Sequence, residues 1–388
     1  MSQNFGDFQN EIYLAGLSGK MPLLPVDFAT LEEQAKQAMS PSVWSYVAGG
    51  CGDEFTQRNN AEAFNRYGIV PRMFNGAAKR DLSVSLFGRT LSAPVFLCPI
   101  GVVGLCSSDN HGDLRVAEAA AKTGVPMMAS TLSQDPMEEV AKKLDGTPSY
   151  FQLYTPKDRD LALSFISRAE NAGFEALVVT LDTWVTGWRP RDLNSANFPQ
   201  LRGLCLANYF SDPHFLKRLK KPVAEDPAAA IHEWVNIFGH IMTWDDLKWM
   251  REATRLPIVL KGICHPDDAR RAADAGIDAI QCSNHGGRQA NGGIAALSML
   301  KDVIFAVPDM PVLFDSGVRS GTDVAKALAM GAAAVGIGRS HAYALAAGGT
   351  EGVIHHLRSI LAETDLLMAV NGYPTIADLR SAGVRQTR

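Results

Sequence analysis

The chain has 388 residues, 46% hydrophobic and 20% charged, the profile of a soluble globular protein with a large core. Its net charge of −4 gives no support to nucleic-acid binding, which calls for a strongly basic domain. Length alone suggests two or three domains, but α/β barrels of this size run as one unit.

Taken in chain order, the opening residues MSQNFGDFQNEIYLAGL carry neither a basic nor an apolar signal region, so no secretory leader is expected. Residues 1–90 read as a helical segment packing on a barrel of residues 91–388. Eight short apolar runs then read as buried parallel strands: 94–100, 125–130, 149–154, 176–182, 257–262, 279–284, 311–316 and 334–339. Amphipathic segments at 113–122, 158–172, 266–275 and 321–330 separate them as helices. Gly173, Gly276 and Gly331 each follow a helix end and precede a strand, where a left-handed cap turns the chain back. Eight such units imply an α/β fold, a (β/α)8 TIM barrel.

The interval between the fourth and fifth strands is far longer than the others. The excess, about 184–241, is expected to be an insertion at the barrel mouth, rich in aromatic and basic residues, acting as a lid or interface. The longest uncharged run, 92–106, is broken by Pro and Gly and too short for a bilayer, so no membrane contact is expected. The six cysteines sit singly without a C-x-x-C pair, which argues against disulfides and zinc and for a cytoplasmic address.

A barrel of this kind builds its site at the C-terminal strand ends. These ends carry Pro99-Ile100-Gly101, Ser130, Gln152, Tyr154, Thr180, Asp182, Lys261, Ser283-Asn284-His285, Asp315-Ser316-Gly317 and Gly338-Arg339. Polar groups at one end of apolar strands are costly unless they bind something. DSGVRSG and GIGR on the last two strands read as a phosphate site of glycine N–H groups and guanidinium. No Rossmann or P-loop fingerprint appears, and HEWVNIFGH lacks zinc-hydrolase spacing. SNHGGRQANGG places an imidazole that titrates near neutrality beside a carboxylate-binding guanidinium.

SNHGGRQ, DSGVRSG, the Lys of LKG and the closing GIGR together resemble the FMN-dependent L-2-hydroxy acid oxidases and dehydrogenases, from about Asp27 to Asp378. Among branches, NEIYLAGL, CPIGV, LDTW, GWRPRDL and LRGLCL look most like lactate monooxygenase. The resemblance implies FMN as cofactor and His285 as the base. It takes a proton from the substrate, oriented by Asp182, while the flavin accepts the electrons by hydride or carbanion transfer. Arg288 and Arg189 would clamp the substrate carboxylate with help from Tyr46, and Tyr154 would bond the substrate oxygen. Lys261 would stabilise reduced flavin. Pro99, the Ile100-Gly101 backbone, Ser130, Gln152, Thr180 and Ser283 would lie at the isoalloxazine ring. Asp315 and Ser316 would hold the ribityl chain, and Gly317, Arg319, Gly338 and Arg339 the phosphate.

No metal is implied. The implied partners are a small 2-hydroxy acid and O2, in a homotetramer or octamer. Oxidative decarboxylation of L-lactate to acetate, CO2 and water is the expected outcome. Release of 2-keto acid and peroxide is the alternative, and a non-flavin phosphate-binding isomerase or a flavin-storage protein is a remote one. Leu132, where relatives often carry an aromatic ring, and Gly101, where most oxidases carry Ala, are expected to narrow the substrate, the missing methyl at Gly101 opening space near the flavin. Cys51, Cys98, Thr186 and Gln200 depart from the lactate monooxygenase pattern.

Overall fold

The structure, a computed structural model, describes residues 4–387; the first three residues of the predicted N-terminal segment and Arg388 lie outside it. The eight predicted strands all form, as β1 Val95–Leu97, β2 Met127–Ser130, β3 Ser149–Leu153, β4 Ala176–Thr180, β5 Ile258–Lys261, β6 Ala279–Cys282, β7 Val312–Phe314 and β8 Val335–Ile337. Each pairs in parallel with the next, and β8 closes on β1 with Val335 opposite Val95. Helices α1 Gly112–Thr123, α2 Met137–Leu144, α3 Arg159–Ala172, α4 Asp246–Ala253, α5 Pro266–Asp274, α6 Ala296–Ala306, α7 Gly321–Ala329 and α8 Arg339–Asn371 follow the strands in turn. Gly173, Gly276 and Gly331 adopt positive φ at the ends of α3, α5 and α7, the left-handed turn read from the sequence. α8 contains a break at Gly349.

Successive side chains of a strand point to opposite faces, so each strand has an inner and an outer row. The outer row (Val95, Met127, Phe151, Leu177, Leu260, Ile280) joins the large core beneath the helices. The inner row forms a second cluster of Phe96, Met128, Tyr150, Val178, Val259 and Leu313 with Ala176, Ala279 and Ala334. Two residues further along, the same inner rows become Cys98, Ser130, Gln152, Thr180, Lys261, Gln281 and Asp315. The barrel interior is thus apolar at its N-terminal end and polar at its C-terminal end.

A hairpin, Val84–Leu86 with Arg89–Leu91, closes the apolar end. Its two-residue turn puts Phe87 and Gly88 at positive φ, the geometry that matches strand twist. Phe87 meets Tyr150 edge-on at 5.5 Å, while Leu86 and Leu91 join the inner cluster. The N-terminal segment is therefore not wholly helical. It contains the helices Phe8–Gly16, Phe28–Ala38, Pro41–Ala48 and Phe55–Glu62, this plug, and a short strand Tyr67–Gly68 paired with Arg385–Gln386.

The insertion is ordered as short helices: Pro190–Asn194, Pro199–Arg202, Ala207–Phe210, Pro213–Lys217 and Pro227–Ile237. Asn208 fixes it to the barrel, donating to Ser130 O (3.2 Å) and Thr131 O (3.0 Å) and accepting from Met137 N (2.8 Å). No helix among the described residues is long and apolar enough to cross a membrane.

Candidate active site

A cavity of about 1260 Å³, counted to its open mouth, lies at the polar end of the barrel. His285 enters it from the turn after β6. His285, Gly286 and Gly287 all take positive φ (57°, 63° and 74°), so the chain reverses sharply. His tolerates this region better than most residues, but a Cβ at position 287 would meet the Gln57 backbone nitrogen at 2.5 Å, so only Gly fits there. The imidazole Nδ1 lies 2.8 Å from Asp182 Oδ1. An ionised carboxylate only accepts, so Nδ1 carries the proton and Nε2 carries the lone pair. Thr183 Oγ1 donates to the same Asp182 oxygen at 2.8 Å.

The electrostatics hold the pair in this state. Burial pushes the His285 pKa below its ordinary value, against the opposing pull of Asp182. Burial pushes Asp182 upward, but its interaction with His285, the charge of Lys261 and the hydrogen bonds from His285 and Thr183 together outweigh it and hold the carboxyl well below the usual range. The imidazole is a neutral acceptor beside a fixed negative charge, the arrangement a general base requires.

Two guanidiniums converge on one aromatic ring. Arg288 lies 4.8 Å and Arg189 5.6 Å from the centroid of Tyr46. Arg189 Nε donates to Arg288 O at 3.0 Å and its Nη2 to Gln289 Oε1 at 2.5 Å, while Arg288 Nη1 donates to Gly49 O at 2.5 Å. Burial, followed by repulsion from Arg189, lowers the Arg288 pKa to about 9, so it remains cationic at neutral pH. Two buried like charges side by side favour an anionic ligand between them. Tyr154 shares this wall, and burial followed by the neighbouring Tyr46 raises its hydroxyl to about 12, so it stays a donor. Phe198 and Phe238 of the insertion cover the same space, with Phe238 5.7 Å from Tyr154.

On the opposite side, Lys261 Nζ donates to Ser283 Oγ (3.2 Å) and lies 3.9 Å from Asp315. Burial alone would discharge it, but Asp315 and Asp182 outweigh burial and raise its pKa. Asp315 accepts from Ser283, Ser316 and Gln281. Beyond it, Ser316 and Gly317 both take positive φ, and Gly317, Arg319, Gly338 and Arg339 line the far end of the cavity.

Most of the predicted site residues therefore line one cavity: Tyr46, Pro99, Ile100, Gly101, Tyr154, Arg189, Lys261, His285, Arg288, Asp315, Ser316, Gly317, Arg319, Gly338 and Arg339. Ser130, Gln152, Thr180 and Ser283 lie behind it. Ser130 Oγ donates to Gln152 Oε1 (3.1 Å), whose Nε2 donates to Thr180 Oγ1 (2.9 Å). Arg339 donates to Val47 O, Gly286 O, Gly49 O and Gln57 Oε1, so its guanidinium ties the N-terminal segment to the His285 turn. Arg319 stacks 4.7 Å over Phe28.

The space expected at Gly101 is not open. A Cβ there would meet Leu132 Cβ at 3.2 Å and Cδ1 at 3.5 Å, so Leu132 fills what the missing methyl leaves. Thr183, Gln289, Phe198, Phe238 and Asn208 were given no role by sequence reasoning. Gln289 follows Arg288 within the recognised HGGRQ segment, which was a usable signal; the others depend on contacts made only after folding.

The donor set fits a flavin mononucleotide. A buried lysine stands at one end, a glycine nest with Arg319 at the other, and a Cβ at Gly338 would meet nothing within 4 Å. Residues 35–386 match the model of the FMN-dependent dehydrogenase family. The chain belongs to that family. FMN is its cofactor.

Similar proteins include an FMN-dependent alpha-hydroxy acid dehydrogenase of Penicillium citrinum, 40% identical over 97% of this chain and 94% of that one. An L-lactate oxidase of Lysinibacillus sphaericus is 37% identical over 96% and 95%. Among solved structures, a lactate oxidase of Pediococcus acidilactici superposes with TM-score 0.83 at 34% identity, covering 93% of this chain and 95% of that one.

Proposed function

We propose that this FMN-dependent dehydrogenase family member oxidises a small L-2-hydroxy acid, with L-lactate as substrate and O2 as electron acceptor. Oxidation of a 2-hydroxy acid is the activity named in the relatives. The observation that carries the reading is the convergence, in one cavity, of an oriented neutral imidazole and two carboxylate-binding guanidiniums.

Bound FMN supplies the two-electron acceptor that no side chain in the site provides. Arg288 and Arg189 hold the substrate carboxylate against the Tyr46 ring. Tyr154 donates to the substrate oxygen. Nε2 of His285 takes the proton, and Asp182 stabilises the imidazolium that results. Ammonium Lys261, buttressed by Asp315 and Ser283, offers fixed positive charge to the reduced cofactor. Pro99, Ile100 and Gly101 would hold the cofactor ring, backed by the Ser130–Gln152–Thr180 chain. Ser316, Gly317, Arg319, Gly338 and Arg339 serve its ribityl phosphate. Phe198 and Phe238 exclude water, with 184–241 as lid and 1–90 packed on the barrel of 91–388.

In this reading the lid retains the keto acid beside the peroxide formed from O2, and lactate ends as acetate, CO2 and water. Gln200, fully buried in the lid, donates to Gly101 O at 3.3 Å and couples the lid to the cofactor-facing loop. The L-lactate oxidase relatives favour a second reading, in which keto acid and peroxide leave separately. Quantifying products from L-lactate under air distinguishes them: acetate and CO2 are expected, and stoichiometric pyruvate and peroxide would refute decarboxylation. Exposed Trp184 and Trp188 on the lid support a homotetramer or octamer, and six unpaired cysteines support a cytoplasmic address.

A further inference from the structure

We propose that Gln289 is a positioning residue: its side-chain amide fixes the Arg189 guanidinium against the loop that carries Asp182, a role that rests on Arg189 gripping the substrate carboxylate in the oxidation proposed above. Residues 182–189 form this loop. It opens with Asp182, which orients His285, and closes with Arg189, just before the helix Pro190–Asn194. Gln289 follows Arg288, the other half of the clamp, and reaches into the loop. Its Nε2 donates to Asp182 O and to Val185 O, both at 2.8 Å. Its Oε1 accepts from Arg189 Nη2 at 2.5 Å. Among the described residues no other hydrogen bond ties the Arg189 side chain to 182–185.

Both amide donors and one oxygen lone pair of Gln289 are thus committed. The amide has only one workable orientation. Reversed, its oxygen would face two carbonyls and its nitrogen a guanidinium, and neither carbonyls nor guanidiniums could answer it. The backbone is fitted as closely. A Cβ at Gly187 would meet Cys51 Sγ at 2.5 Å, Gln289 O at 2.6 Å and Arg288 O at 2.9 Å, so the loop lies flat on residues 288 and 289 where only glycine fits.

Arg189 is buried, and its guanidinium is a rigid plane with donors in a fork. Nε donates to Arg288 O at 3.0 Å and Nη2 to Gln289, so two bonds along one edge set the plane. Nη1 has no protein acceptor among the described residues, and Arg189 lines the cavity. The edge bonds therefore decide where the remaining donor meets a carboxylate. Without Gln289 the guanidinium keeps only its Nε bond and can turn about it. Because the same amide holds Asp182 O, it also sets the spacing between the carboxylate clamp and the loop that orients the base. That spacing selects an acid whose reacting hydrogen lies on the carbon next to the carboxylate.

The test titrates the FMN-loaded enzyme with propionate, which is lactate without its hydroxyl, and reads Kd by calorimetry. Gln289→Met keeps the length of the side chain and removes its hydrogen bonds. Loss of a charge-assisted bond is expected to raise the propionate Kd by roughly tenfold or more. A role in packing alone would weaken binding whether or not Arg189 is present, so a double-mutant cycle separates the two. In an Arg189→Met background, Gln289→Met is expected to change Kd by less than about twofold. If Gln289→Met does not retain FMN, Gln289→Glu serves in its place. It keeps an oxygen toward Arg189, and its charge occupies the guanidinium in the ligand's stead, so weaker propionate binding is expected there too. An unchanged Kd in an FMN-loaded single variant, or full additivity in the cycle, would overturn the proposal while leaving the oxidation reading intact. Wild-type enzyme that binds no propionate and oxidises no L-2-hydroxy acid would overturn that reading and the role of Gln289 together.

Discussion

At the scale of single residues, the account turns on which proton His285 carries. Its Nδ1 is committed to Asp182, and burial lowers its pKa. A base must be deprotonated to act, so the acid limb of kcat/KM is expected below the ordinary histidine value of about 6.5. Asp182→Asn removes the charge that favours the imidazolium. The limb then moves to still lower pH, while kcat falls by roughly 10²–10⁴-fold because the ring loses its orienting acceptor. A pH–rate series on both proteins checks this, and a limb that rises in the variant would contradict it. His285 was legible in the sequence because a titratable group followed by two glycines at a strand end has few structural uses. Thr183 was not. Its side chain announces no chemistry on its own, and its approach to His285 Nδ1 at 3.3 Å joins residues 102 positions apart.

At the scale of elements, the N-terminal segment is fastened to α8 by one buried ion pair. Arg80 meets Asp365 through Nε (2.8 Å) and Nη2 (2.6 Å), and Gly6 N donates to the same carboxylate at 2.7 Å. Asp365→Ala leaves a buried guanidinium uncompensated and is expected to cost about 3–5 kcal/mol. Urea unfolding reads this directly, and an unchanged midpoint would show that the pair fastens nothing.

α8 also buries His341 and His356, whose pKa values burial lowers to about 4 and about 3. Both lie below the unfolded value of about 6.5. The unfolded chain therefore binds protons that the folded chain refuses, and stability present above that value is lost as pH falls toward 4 and then 3. The same urea series at pH 7 and pH 5 should show a lower midpoint at pH 5, and His341→Asn should flatten that difference. The strands and cap glycines of the barrel were readable because apolar runs and Gly after helix ends are local signals. The hairpin plug was not, because VSLFGRTL gains its partners only when the barrel closes around Tyr150. The insertion was read from the long gap between the fourth and fifth strands, but its short helices were not, since they lack a sustained period and are held by contacts such as Asn208 to the β2 end.

At the scale of the whole molecule, the alternation of strand side chains connects fold to function. The inner rows run from Phe96, Met128, Tyr150 and Leu313 to Cys98, Ser130, Gln152 and Asp315, so one end of the barrel is a packed core and the other a polar seat. The plug seals the first end. The insertion, Tyr46 and the His285 turn line the second, with Arg339 tying the N-terminal segment to the turn. Anaerobic titration of the FMN-loaded enzyme with L-lactate tests this arrangement most directly. The account predicts stoichiometric bleaching of the visible flavin absorbance in the wild type, slowed by roughly 10²–10⁴-fold in His285→Gln. A protein that binds no FMN, or whose flavin stays oxidised with L-lactate and with other small L-2-hydroxy acids, would contradict it.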